Sequence, residues 1–133
     1  MVAAIRSDAG ASRRLVAGCL QRRVTALVSV PLVMEYEAVM TRAEHLAASG
    51  LSIADVGALR DAIVAVAEPV RLAFMWRPAL RDASDDMVLE TAVNGQADAI
   101  VTFNRRDFAP TAARSGVAVL APAAAVMQME KEP

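Results

Sequence analysis

The residues of this sequence best suited to chemistry are carboxylates that lie at the ends of its predicted secondary-structure elements. They form three groups: Glu35 with Glu37, Asp82 with Asp85 and Asp86, and Asp107. Carboxylates that converge repel one another, so a pocket that gathers them is costly unless a cation neutralises it. Ligation by oxygen alone, without Cys or His, is typical of Mg²⁺ or Mn²⁺, hard cations that usually work on phosphates. The pattern therefore predicts a metal site suited to phosphate chemistry.

Each of these acids also has an ordinary structural explanation. Asp85 and Asp86 fall in the first turn of a predicted helix, where the helix dipole alone favours negative charge. Glu35 and Glu37 flank the apolar stripe of another helix, and periodicity does not decide which of them points into a pocket. Glu90 comes one turn after Asp86 and could either join the site or face solvent. The residues alone leave these alternatives open.

A second polar cluster follows the predicted strand over residues 99–102. Asn104 and Asp107 could supply further oxygen ligands, or they could simply form an Asx-type turn. Arg105 and Arg106 lie between them and could hold a phosphate backbone. Further arginine pairs stand at Arg13 with Arg14 and at Arg22 with Arg23. Paired arginines are more often solvated charges, but several pairs occur in this chain. Nucleic-acid binding and an ordinary charged surface therefore remain equally open.

The elements that must position these residues alternate along the chain. Strands are predicted over 25–30, 70–76, 99–102 and 117–120, with Met1 to Ile5 as the tail of another strand; helices are predicted to begin near Ser12, Pro31, Ser52, Ser84 and Pro122. The Pro31 helix is expected to run to about Glu44, and Asn94-Gly95 to end the Ser84 helix. Alternation favours an α/β fold with a parallel sheet, whose carboxyl edge would bring the acids within reach of one another.

Length and composition limit the class of protein. The 133 residues are enough for one domain, 1–133, and the net charge of −1 means that nucleic-acid binding must come from a local patch. Cys19 has no partner for an internal disulfide, which suits a reducing cytoplasm, and we expect a small buried hydrophobe. The longest apolar run, Val117 to Met127, is interrupted by Pro122 and is too short to span a membrane. We expect a soluble cytoplasmic protein that does not bind membranes.

Two consecutive patterns in the central stretch carry a family resemblance. Asp-Asp-x-x-Leu-Glu-x-Ala lies within Asp82 to Ala92, and Ala-Asp-x-x-Val-Thr-x-Asn-x-x-Asp-Phe spans Ala97 to Phe108. These patterns resemble the C-terminal half of PIN-domain proteins of the VapC-like toxin group. Two earlier blocks are also similar to the family: Arg6-Ser7 with Gly10 to Leu15, and Ser29, Leu32, Glu35-Tyr36-Glu37, Val39 and Arg42. Four blocks in the right order, followed by a closing strand, make the resemblance specific over nearly the whole chain.

The resemblance implies a three-layer α/β/α PIN-like domain and a metal-dependent ribonuclease, the toxin of a bacterial toxin–antitoxin pair. In such proteins carboxylates hold Mg²⁺ or Mn²⁺, which activates a water and stabilises the leaving oxygen of the phosphodiester. By motif, the implied catalytic residues are Glu35, Asp86 and Asp107. Asn104 would join them as a metal ligand, and Asp85 is the rival of Asp86, which the family spacing favours.

The expected partners are an RNA substrate, a cognate antitoxin protein and a second copy of the chain. RNA contacts are expected from Arg105, Arg106, Arg13 and Arg14. A second function, from another class, is a catalytically inactive PIN-like protein that binds an antitoxin or RNA. A flavodoxin-like domain is disfavoured because no Gly-rich phosphate loop follows a predicted strand.

The start of the chain departs from the family pattern. Family members begin with an apolar strand that ends in Asp-Thr-Asn-Val, and its aspartate is a central metal ligand. Here Met1 falls just after that point, Val2 to Ile5 continues as the family does beyond it, and Asp8 lies in the following turn. We therefore expect a truncated first strand, a missing middle strand and one missing acid. A start codon further upstream and a degraded gene both explain this, and both predict a weaker fold that associates through an exposed sheet edge.

Overall fold

A computed structural model describes residues 1–6, 13–72, 83–108 and 115–131 of the chain. Its strands are β1 Val2–Ile5, β2 Thr25–Val28, β3 Glu68–Pro69, β4 Ala99–Val101 and β5 Ala118–Leu120. Its helices are α1 Arg13–Leu20, α2 Val30–Met40, α3 Ala43–Ser49, α4 Ile53–Val66, α5 Ala83–Asn94 and α6 Pro122–Lys131. A further helical turn covers residues 105–108. Helices and strands alternate as the sequence predicts.

The strands form one parallel sheet in the order β3-β2-β1-β4-β5. The chain starts in the middle of the sheet, moves outward through β2 to β3, and then crosses to β4 and β5 on the other side. The direction of winding therefore reverses between β1 and β4. In open α/β sheets, ligands bind beyond the carboxyl ends of the strands at such a switch point.

Two apolar clusters, one on each face of the sheet, make up the core. Ala3 and Ile5 of β1 belong to the first core cluster, which packs against α1 and α6, whereas Ala4 belongs to the second, which packs against α2 and α5. Successive strand residues point to opposite faces, which is why neighbours in β1 join different clusters. The fold is the expected three-layer α/β/α arrangement.

The middle of the sheet differs from the prediction. We expected a middle strand to be missing, yet β1 occupies that position, with β2 and β4 on its two sides. It is only four residues long, and these are the residues predicted as the tail of a strand. Backbone bonds hold its two ends: Thr25 N donates to Met1 O at 2.8 Å, and Arg6 N donates to Val101 O at 2.9 Å. The two edges of the described sheet are β3 and β5.

The Pro31 helix is shorter than predicted. Helix α2 ends at Met40 instead of near Glu44, and α3 follows as a separate helix. The Thr41 hydroxyl donates to Glu37 O at 2.7 Å, and Arg42 adopts an extended conformation with φ −62° and ψ 141°. Because Thr41 bonds the backbone of the preceding turn and Arg42 leaves the helical region, the helix stops there.

The strand predicted over 70–76 is not found in the part of it that the structure describes. The edge strand β3 is Glu68–Pro69, and residues 70–72 belong to no strand; residues 73–76 lie outside the described part. Proline is typical of the residues just after a helix, and Pro69 does lie beyond α4, in this edge strand, where a missing N–H is tolerated. The N-cap predicted at Ser12 also lies outside the described residues.

Close packing at the end of α5 explains why residue 95 is a glycine, a reason that the sequence did not suggest. The helix ends at Asn94 as predicted, but the left-handed residue that follows is Gln96, with φ 53°. A Cβ atom on Gly95 would lie 2.6 Å from Leu27 Cδ1 and 2.8 Å from Val70 Cγ2. Glycine is needed here because the helix end approaches β2 closely. Helix α5 also begins at Ala83, so Ser84 lies inside its first turn and does not precede it.

Cys19 is the small buried hydrophobe that the sequence predicted. It is 4% exposed within the first core cluster, and burial raises the pKa of its thiol to about 11. A buried, protonated thiol behaves as an apolar side chain. Separately, no helix in the described ranges combines the length and apolar character that crossing a bilayer requires.

Candidate active site at the carboxyl edge of the sheet

Helix α5 carries the strongest candidates for chemistry, and it buries them. Asp85 and Asp86 are each 3% exposed, and Glu90 is 1% exposed. Val88 and Leu89, between them on the same helix, pack into the second core cluster. The helix dipole explains why a first turn attracts carboxylates. It does not explain why they are buried, because removing a carboxylate from water costs roughly several kcal/mol. Glu90, for which surface exposure was equally open, is buried.

Arg6 places a positive charge against Asp85. Arg6 Nε donates to Asp85 Oδ1 at 2.5 Å, and the two side chains are 17% and 4% exposed. Arg6 directly follows β1, so its guanidinium lies beyond the carboxyl end of the middle strand, beside the switch point. Sequence analysis missed Arg6 as a site residue because a contact between positions 79 residues apart leaves no local signal.

Helix α2 separates the two glutamates that periodicity could not distinguish. Glu37 Oε2 pairs with Arg60 Nη1 of α4 at 2.7 Å, so Glu37 lies on the side of α2 that faces α4. Glu35 is half-buried and lies three residues after Leu32 and four before Val39, the two buried residues of α2. Residues at these spacings share one face of a helix. Glu35 therefore lies on the sheet-facing side of α2, and Glu37 does not.

Tyr36 brings α2 to the end of the middle strand. Its hydroxyl donates a hydrogen bond to the carbonyl oxygen of Ile5, the last residue of β1. Burial raises the pKa of Tyr36 well above its ordinary value, and the nearby Cys19 raises it further. The phenol is therefore a neutral donor at physiological pH. Helical spacing with Leu32 and Val39 predicts that Tyr36 lies on the buried stripe of its helix, but it does not predict a part for Tyr36 in the site.

A buried hydroxyl pair joins β2 to α5. Ser29 caps α2, with its Oγ accepting from Leu32 N at 3.4 Å, and the same Oγ lies 2.9 Å from Thr91 Oγ1. Thr91 Oγ1 also donates to Met87 O at 2.8 Å within α5. Ser29 is 4% exposed and Thr91 is fully buried. The pair holds the acidic helix against the carboxyl end of β2.

The polar cluster after β4 is exposed. Asn104 N donates to Thr102 Oγ1 at 3.1 Å, and Asp107 N donates to Asn104 O at 3.2 Å, so the backbone forms a turn that leads into the helical turn 105–108. Phe108 anchors this turn in the second core cluster and is fully buried. The side chains of Asn104 and Asp107 point to solvent, in contrast to the buried acids of α5.

The arginines proposed for RNA contact fall into two groups. Arg105 and Arg106 are exposed beyond the end of β4, next to the switch point. Arg14 pairs with Glu130 of α6 and so links α1 to α6, with its side chain still 69% exposed. The side chain of Arg13 lies outside the described part. Phosphate contact by any of these residues remains a prediction.

The fold and the site together define a class: a doubly wound parallel α/β domain with a buried acidic helix beside the end of its middle strand. Within that class, the chain belongs to the PIN domain family, whose sequence model matches residues 1–106. PIN domains are generally nucleases. Neither curated proteins nor solved structures gave a match to this chain.

PIN-domain nucleases generally use divalent metals, but the described geometry does not present a ready metal site. Within residues 1–6, 13–72, 83–108 and 115–131, no three side chains of Asp, Glu, His or Cys come together closely enough to hold a metal ion. Asp85 is engaged with Arg6, and Asp107 is exposed. The arrangement therefore does not fit a divalent ion as it stands. The ligand roles of Glu35, Asp85, Asp86, Asn104 and Asp107 remain predictions.

Proposed function

We propose that this chain is a ribonuclease and the toxin component of a bacterial toxin–antitoxin pair that acts in the cytoplasm. The observation that carries the proposal is the burial of Asp85 and Asp86 at the carboxyl edge of the sheet in a member of a nuclease family. Buried carboxylates are unfavourable for stability and cluster at sites of chemistry. A cognate antitoxin protein would be the regulatory partner, and a homodimer the working assembly.

The residues divide the work of phosphodiester hydrolysis between them. Asp86 would accept a proton from the attacking water as a general base, a role that typically contributes about 100-fold or more to the rate. Arg105 and Arg106, exposed beyond β4, would hold phosphates of the RNA without reading its sequence. Tyr36 and the Ser29–Thr91 pair would keep α2 and α5 in place around the end of the middle strand.

Cleavage of single-stranded RNA tests this proposal. The purified chain is incubated with RNA and Mn²⁺, with and without EDTA, and Asp86→Asn is compared with wild type. We expect Asp86→Asn to lower the cleavage rate by about 100-fold or more. Asp61→Asn on α4 is the matched control, because the Asp61 side chain is 73% exposed, and it should cleave at the wild-type rate. Equal rates for Asp86→Asn and Asp61→Asn would exclude Asp86 as the base.

A specific observation favours a second function, a catalytically inactive PIN-like protein that binds RNA or an antitoxin. Asp85 is already paired with Arg6, and the described residues provide no three-acid ligand group. This function predicts RNA binding without cleavage at any Mn²⁺ concentration. Fluorescence anisotropy with labelled RNA distinguishes the two: replacing Arg105 and Arg106 by Gln weakens binding in both cases, whereas Asp86→Asn changes cleavage only if the chain is an enzyme.

A further inference from the structure

The Arg6–Asp85 pair lies where the chemistry of an acidic pocket would need a cation. Arg6 follows the middle strand, and its N–H donates to Val101 O of the neighbouring strand β4, so its backbone position is fixed by the sheet. Asp85 lies in the first turn of α5. The two side chains therefore meet between the middle of the sheet and the helix that covers it.

The type of cation matters for what this pocket can hold. A guanidinium is always charged, is weakly hydrated and matches the geometry of a carboxylate, which suits it to buried pairs. Asp86, the next residue on the same helical turn, is also buried. Carboxylates brought together stay ionised only where positive charge compensates them. In the described structure, Arg6 supplies one such charge from within the chain.

We propose that the guanidinium of Arg6 is a resident cation beside Asp85 and limits the affinity of this carboxylate for divalent cations. A divalent ion must displace Arg6 from Asp85 before it can use that carboxylate. Removing the charge of Arg6 leaves Asp85 with one positive charge less beside it, and carboxylate oxygens prefer Mg²⁺ and Mn²⁺. The inference concerns cation binding and goes beyond the proposed function, since it holds whether or not the chain cleaves RNA.

Calorimetric titration with Mn²⁺ tests the proposal. Wild type, Arg6→Gln and Arg60→Gln are each titrated without RNA. We expect Arg6→Gln to bind Mn²⁺ at least about tenfold more tightly than wild type, because a neighbouring positive charge weakens cation binding at a carboxylate. Arg60→Gln is the matched control. It removes the same charge from the ion pair between Arg60 of α4 and Glu37 of α2, and it should bind Mn²⁺ like wild type. Adding Asp85→Asn to Arg6→Gln should abolish the gain.

Equal Mn²⁺ affinity for Arg6→Gln and wild type would overturn the proposal, and so would an equal gain in Arg60→Gln. Folding is followed by circular dichroism in each titration, because Arg6→Gln removes a guanidinium that pairs with the buried Asp85. Recovery of a folded signal on addition of Mn²⁺ supports the proposal. A variant that stays unfolded at every Mn²⁺ concentration contradicts it, since the ion should then take the place of the guanidinium. None of these results depends on RNA cleavage, so a failure here leaves the nuclease proposal standing.

Discussion

Helices α5 and α4 have similar lengths but opposite relations to solvent. From Asp85 to Ala92, every residue of α5 is buried except the half-buried Met87, although three of these residues are acids. In α4 only Val56 is buried, and Ile53 and Val64 are 67% and 42% exposed. Acidic side chains are thus buried in one helix, while large apolar side chains are exposed in the other.

The difference in burial comes from where each helix packs against the sheet, and not from the composition of the helices. Helix α5 packs against β1, β2 and β4 and against α2, so it covers the centre of the sheet. Helix α4 packs against α1, α2 and β2, toward the side of the sheet that ends in β3. The central position of α5 removes its side chains from water, including the acids of its first turn. Substitutions in the two helices should therefore have very different effects.

The largest effect is expected from the ion pair of α5. Arg6→Gln should lower the free energy of unfolding by about 3 kcal/mol, because it removes from the buried Asp85 a counter-charge that pairs with it. Urea denaturation in EDTA measures this change. Arg60→Gln, at the more exposed pair of α4, should shift the unfolding midpoint very little. If both variants shifted the unfolding midpoint equally, the two ion pairs would not differ in their contribution to stability, contrary to this prediction.

A second pair of variants compares the glycines. Gly95→Ala at the end of α5 should cost about 2 kcal/mol, since its Cβ would meet Leu27, Val70 and the backbone oxygen of Thr91 within 3.0 Å. Gly57→Ala in α4 meets nothing within 4 Å and should gain about 0.5 kcal/mol from the lower entropy of the unfolded chain. Thermal unfolding followed by circular dichroism gives both values. A stable Gly95→Ala would mean that α5 is not held closely against β2.

The serine caps provide a smaller comparison. Ser29→Ala should cost about 2 kcal/mol, because it removes both the cap of α2 and the buried bond to Thr91 of α5. Ser52→Ala removes only the exposed cap of α4 and should cost about 1 kcal/mol. Chemical denaturation of the two variants under the same conditions tests the difference. The Ser29–Thr91 bond contributes nothing measurable if the two costs are equal.

The smallest expected effect is on the stability of the fold at low pH. Hydrogen bonds from the backbone N–H and then the side chain of Ser52 lower the pKa of Asp55 below its ordinary value of 3.8. A carboxylate with a lowered pKa stabilises the fold above that ordinary value, and the stabilisation is lost as pH falls through the folded-state pKa. Asp55→Asn should therefore remove a small acid-dependent part of the stability of wild type. Unfolding curves measured between about pH 5 and pH 2 test this, and parallel pH profiles for the two proteins would refute it.

Local sequence signals predicted most elements of the described fold. Helix α2 begins at Val30, one residue before the predicted Pro31, and Ser29, predicted to lie in the preceding strand, is its cap. Ser52 opens α4 as predicted, with a capping box to Asp55. The apolar run at residues 99–102 became β4 over Ala99–Val101. These predictions succeeded because caps and short apolar runs depend on residues within a few positions of one another.

Burial along helices was predicted less well. Helical spacing predicts an inward apolar stripe on α4, formed by Ile53, Val56, Leu59, Ile63 and Val66. Only Val56 of this stripe is fully buried, and Ile53 is among the most exposed apolar residues. Periodicity identifies one side of a helix but does not tell how much of that side another element covers. For the same reason it could not separate Glu35 from Glu37, which the contact between Glu37 and Arg60 resolves.

The sequence by itself determined the α/β class, most element positions and the acids that merit attention, since these follow from periodicity, turn chemistry and residue type. Only the tertiary structure decided that Val2–Ile5 is the middle strand, that Asp85, Asp86 and Glu90 are all buried, and that Arg6 faces Asp85. Each of these facts depends on contacts between segments far apart in the chain. Such contacts arise from the order in which strands join a sheet, for which a single sequence carries no local signal.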